Sequence, residues 1–178
     1  MSNRIIFISL FCTGILYFVY PISRYFAIDT NGFDFSVFDW MTRQNIYEEL
    51  GFEPIHSLNH YAIHSSWILL PLTLIRTFFT HPVILVGFGG LLLWTAVIPL
   101  WFLSLRLTAN KIFSLLICFV YLTNSITATT LNSFFRIEAF YPLAIFYFLL
   151  SWVIKSKKIF ILSLFLLLSD VTHFVFLV

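Results

Sequence analysis

The sequence predicts an all-α fold: a polytopic transmembrane protein of about five spans, with interfacial helices in a long first outer loop. Three observations lead there. Of 178 residues, 60% are hydrophobic and only 10% charged, with mean hydropathy +0.95, whereas soluble domains carry about 25% charged residues. Apolar runs recur at the roughly 20 residues that cross a bilayer. Six of the eight acidic residues (Asp29, Asp34, Asp39, Glu48, Glu49, Glu53) fall within residues 29–60, while cations punctuate the ends of the apolar runs. Residues 1–178 read as a single transmembrane domain.

The first span is 5–28. Its apolar run Ile5–Ile22 follows Arg4, and Arg24 lies near its outer end. A cleaved signal peptide is the alternative, but the run is long for one and no small-x-small site follows it. Further spans are 82–105 and 112–131, both without charge, then 139–154, and 159–178, which is interrupted by Asp170 and His173. Gly87, Gly89 and Gly90 are not a nucleotide loop, because no strand precedes them and no Lys follows. Close helix packing is expected instead. Cys12 and Cys118 are expected as buried small hydrophobes, with neither a disulfide framework nor a CxxC site.

Residues 61–79 are ambiguous, and the positive-inside bias arbitrates. If they span, three cations (Arg4, Arg76, Arg136) lie inside against seven outside. If they lie at the interface, Arg4, Arg106, Lys111, Lys155, Lys157 and Lys158 are inside, against Arg24, Arg43, Arg76 and Arg136 outside. The second count gives a multi-pass cell-membrane protein with a cytoplasmic N-terminus and one outer loop, 29–81. Within it, Phe33–Leu50 reads as an amphipathic helix. Val37, Trp40, Met41 and Tyr47 share its membrane face, and Asp39 and Arg43 form a solvated i,i+4 pair on another. Residues 61–79 form a second interfacial helix, ended by Thr80-His81-Pro82.

Several residues carry both a chemical and a structural reading. Asp34 is a general base or metal ligand at the membrane surface, or the helix N-cap after Asn31-Gly32. Asp39 is a second carboxylate of this kind, or half of the solvated pair. Arg136 and Glu138, in the turn before 139–154, bind a metal or an anionic phosphate, or are a snorkelling cation and a carboxylate favoured by the helix dipole. His60 and His64, at i,i+4, suit metal ligation but lack a third ligand. Asp170 and His173 mark a cavity, or pair with each other near the outer boundary. No basic stripe points to nucleic acid.

The order of these pieces resembles the GT-C type of polytopic glycosyltransferases, the protein O-mannosyltransferase and aminoarabinose transferase group, and an uncharacterised bacterial family of predicted membrane proteins related to it. Phe33-Asp34-Phe35-Ser36-Val37-Phe38-Asp39 is similar to that family's aromatic-Asp-Leu-Gly-x-Phe-Asp motif, with Phe35 and Ser36 where Leu and Gly are usual. Asn59-His60-Tyr61 resembles its His-aromatic segment. Phe134-Phe135-Arg136-Ile137-Glu138 resembles a turn ending in Pro-Glu. Ser169-Asp170 sits where the family carries Lys-Glu-Asp, and the Lys and Glu are missing here. The resemblance implies sugar transfer from a polyprenyl-phosphate donor at the outer leaflet. Asp34 and Glu138 would be catalytic, and Asp39, His60, His64, Arg76, Arg136 and Asp170 would bind substrate. It requires no cofactor, and a divalent metal such as Mg or Mn is optional. Such families have more spans than five, which leaves a truncated, N-terminal piece as one reading. A transporter subunit and a non-catalytic assembly protein are the alternatives. Asp170 and His173 would serve the transporter, but the spans 82–105 and 112–131 offer only hydroxyls, Asn124 and prolines.

Overall fold

The computed structural model describes residues 2–27, 32–43, 52–53, 58–59, 69–133 and 135–168. Helix α1 (Asn3–Phe26) is followed by α2 (Gly32–Arg43) and a two-residue antiparallel pair, β1 (Phe52–Glu53) with β2 (Leu58–Asn59). Then come α3 (Leu70–Phe78), α4 (Val83–Thr95), α5 (Val97–Thr108), α6 (Lys111–Thr123) and α7 (Ser125–Asn132). A 3-10 turn (Ile137–Ala139) leads into α8 (Phe140–Ile154), and α9 (Lys157–Leu168) closes the described chain. The protein is helical and membrane-type. Asn3–Phe26, Val83–Thr108 and Ile137–Ile154 are each long and apolar enough to cross a bilayer, and α6 with α7 makes a fourth stretch bent by 48°.

Interhelical contacts sort the chain into two ends. Lys111 Nζ donates to Asn3 Oδ1 at 2.8 Å, so the start of α1 meets the start of α6. At the opposite end Arg24 Nη1 donates to Asn132 Oδ1 at 2.7 Å, and the Tyr25 and Phe26 rings lie 6.3 and 6.5 Å from His81. Successive spans therefore alternate in direction. The chain leaves α1 at Phe26 and enters α4 beside His81, and these two points lie on the same end of the bundle. We call this the loop end and the other the basic end.

The central element is the α4–α5 span, 61% of whose apolar window is buried, against 17% for α1. Along α1 the side chains of Phe7, Phe11 and Leu16 face outward, a profile suited to lipid. Glycines set how close α1 and α4 come. A Cβ on Gly87 would lie 2.6 Å from Phe18 Cε2, and one on Gly90 only 2.0 Å from the Tyr17 carbonyl oxygen. Pro21, inside α1, has no N–H with which to bond that carbonyl. Gly90 packs against the resulting exposed backbone oxygen. Trp94 completes the seam, its Nε1 donating to Leu10 O at 3.0 Å. Gly87 and Gly90 take the close-packing role expected of the cluster.

Two expectations change. The run 112–131 is broken, because Asn124 turns its side chain onto the backbone. Its Oδ1 accepts from Thr127 N at 2.9 Å and its Nδ2 donates to Tyr121 O, so one helix ends and another is capped. Cys118 is buried as expected, but Cys12 is exposed on the outer face of α1. Gly90→Val will push α1 from α4. Overpacking of this kind costs about 1–3 kcal/mol, and we expect a matching drop in the thermal midpoint of the purified protein in detergent, with Leu91→Val as the nearly silent control.

Candidate functional site

The loop end is organised by a salt bridge that crosses 37 residues of sequence. On α2, Phe35, Asp39 and Thr42 are buried and Phe38 half-buried, the i, i+3, i+4, i+7 pattern of a helix that docks on one side. Asp39 is only 5% exposed. Its Oδ1 accepts from Arg76 Nη2 at 2.5 Å, and its Oδ2 accepts from Arg43 Nη2. Asp39 with Arg43 is the expected i,i+4 pair, but Asp39 is not solvated. Met41, expected on the membrane face, is fully enclosed alongside the carboxylate, while Trp40 stays 47% exposed as a lipid-facing residue would be. Tyr47 lies outside the described residues.

Arg76, on the last turn of α3, is 1% exposed. Its Nη1 donates to Phe79 O at 3.2 Å and to His81 O, so one guanidinium ties α2, the end of α3 and the turn that starts α4. Its Nε is buried and has no partner among the described residues. Burial lowers its pKa, the Asp39 carboxylate opposes that, and Arg43 adds to it. The structure thus engages in the fold a side chain expected to meet substrate phosphate.

Glu138 is half-buried on the 3-10 turn, between buried Ile137 and Ala139, just before α8. Among the described residues no side chain hydrogen-bonds its carboxylate. Arg136 precedes it and is exposed. Phe135 is fully buried, its ring edge-on to Phe38 with centroids 5.5 Å apart. Phe35, Met41, Leu72, Val86, Phe135, Ile137 and Phe140 belong to one apolar cluster. Asp34 lies in the first turn of α2, one turn upstream of Phe38. The helix of Asp34 and the turn of Glu138 are therefore packed together at one end of the bundle. The Asp34 side chain, His60, His64, Asp170 and His173 lie outside the described residues. Among the described residues no three His, Cys, Asp or Glu side chains gather to hold a metal ion.

Residues 24–178 match the family model described as Predicted membrane protein (DUF2079). The chain belongs to that family. The match takes in the last turn of α1 and everything after it. No curated protein and no solved structure matches the chain.

The Arg76 anchor makes a graded mutational prediction. Removing one member of a buried pair costs about 3–5 kcal/mol, so Arg76→Gln and Asp39→Asn will both strongly lower the thermal midpoint. Arg76→Lys will not restore it, since an ammonium cannot present the guanidinium fork. Arg43→Gln, at a half-exposed site, will cost at most about 1 kcal/mol.

Proposed function

We propose that this chain is, or forms part of, a membrane glycosyltransferase of GT-C type, transferring a sugar from a polyprenyl-phosphate donor at the face that carries α2 and the 135–140 turn. One observation carries the reading: the Phe38–Phe135 contact holds the element bearing Asp34 against the element bearing Glu138. Two acids from distant segments then share one apolar-walled edge of the bundle, where a lipid-borne donor presents its headgroup.

Chemically, Asp34 takes the proton of the acceptor hydroxyl as its oxygen bonds to the sugar's anomeric carbon. The bond from that carbon to the donor phosphate breaks, and the phosphate leaves with the electron pair. Arg136 stabilises the charge developing on it. Arg76 is left to positioning, through its grip on α2. Glu138 is the second acid, or the residue that would hold a divalent ion such as Mg or Mn. The outer leaflet is the expected setting, with the N-terminus cytoplasmic.

Two measurements test this. In proteoliposomes holding the full chain, a panel of polyprenyl-phosphate hexoses and native membrane extract as acceptor source, release of polyprenyl phosphate should fall by about 10²-fold or more in Asp34→Asn and Glu138→Gln, the usual weight of acid–base groups. Unchanged release in both variants ends the proposal. In intact cells, Glu53→Cys and Glu138→Cys, made in a Cys12→Ala background, should both react with an impermeant maleimide added outside. Labelling of only one contradicts a shared compartment.

A further inference from the structure

The basic end holds a second feature that sugar transfer does not use. A groove of about 530 Å³ runs between α1 and α5, lined by Ile6, Phe7, Leu10, Ile98, Trp101, Phe102 and Leu105, with Asn3 and Lys111 at its mouth. Along α1 it extends from Asn3 to Leu10, about 10 Å at ~1.5 Å per residue. It opens sideways: Phe7, Ile98 and Phe102 are exposed. A lateral apolar slot on the flank of a membrane-type bundle suits acyl chains rather than water.

The charge at its mouth identifies the occupant. Lys111 Nζ is held over the groove by Asn3 Oδ1 at 2.8 Å, which leaves the ammonium further N–H donors. Arg4 and Arg106, both exposed, are chain neighbours of the lining residues Asn3 and Leu105. Helix α6 begins at Lys111 with its positive dipole end at the same place. Among the described residues no carboxylate lies at this end: Asp39, Glu53 and Glu138 belong to the loop end. We infer that the groove is a binding site for an anionic phospholipid, its acyl chain between α1 and α5 and its phosphate on Lys111. The inference is independent of the sugar-transfer reading.

The test uses the full chain, purified in detergent, delipidated, and titrated with phosphatidylglycerol or phosphatidylcholine of identical acyl chains. Bound lipid is counted by native mass spectrometry. The wild type should retain phosphatidylglycerol in preference to phosphatidylcholine. Lys111→Gln should lower phosphatidylglycerol retention about fivefold, the worth of one lysine beside an anionic headgroup, and leave phosphatidylcholine unchanged. Ile98→Trp, which fills the slot, should lower both, with an unshifted thermal midpoint as the check on folding. Equal retention of the two lipids overturns the inference, as does an inert Lys111→Gln. So does a loss that follows Lys155→Gln and Lys158→Gln instead. Displacement by millimolar inorganic phosphate would show a free-anion site, and dimers in place of bound lipid would show a second copy in the groove. Either would also overturn it.

Discussion

A charge that cannot be left alone organises this protein. Arg76 is fully enclosed, and an enclosed guanidinium must find a counter-ion and acceptors or the fold does not hold. Asp39 supplies the first, and the carbonyls of Phe79 and His81 supply the second. Those partners come from the helix that follows the first span and from the turn that begins the second. The loop is thus fastened to the bundle where it returns to it. Once α2 is fixed there, Phe35 and Phe38 reach Tyr25 and Phe135, and the turn carrying Glu138 joins the same cluster. A polar contact sets the register, and apolar packing follows from it.

The seam between α1 and α4 works under the same constraint in a drier place. In hydrocarbon every backbone oxygen needs company. Pro21 deprives the Tyr17 carbonyl of its usual donor, and α4 answers with Gly90, whose lack of a side chain allows backbone to approach backbone. Trp94 and Tyr121 work similarly, the first donating to Leu10 O and the second to Leu93 O. Association here rests on small residues and on side-chain donors that reach carbonyls of the neighbouring helix, as expected where lipid removes the hydrophobic drive between helices.

What was legible in the sequence was whatever is local. The helical membrane class and three long apolar helices followed from composition and run length, the packing role of the glycines from the absence of a nucleotide-loop context, and the Asp39–Arg43 pair from helical spacing; the expected span 159–178 is described only as far as Leu168. The facing of α2 was not legible, because it is decided by Arg76, which no periodicity links to Asp39. A buried aspartate looks polar in a helical projection, so the projection put Asp39 in water and put Met41, which is fully enclosed, in the membrane. The break at Asn124 was missed for a related reason: hydropathy averages over a residue whose side chain competes with the backbone. For the candidate site, the sequence offered Asp34 and Glu138 as candidates and gave their order along the chain. That the elements bearing them pack together rests on the Phe38–Phe135 contact, between two of 23 phenylalanines that composition cannot tell apart.

The two ends of the bundle differ by more than a count of cations. Six lie at the basic end and four at the loop end. Of those four, Arg76 is neutralised by Asp39, and the same carboxylate accepts from Arg43. The basic end keeps exposed cations with no carboxylate among its described residues. Headgroup electrostatics act on such uncompensated charge, at about 1 kcal/mol per cation near an anionic surface. The salt bridge that fixes α2 therefore also sharpens the difference between the two faces. A chain that used its loop-end arginines for folding would leave the basic end as the stronger anchor for anionic lipid, and would hold the face with Asp34 and Glu138 away from it.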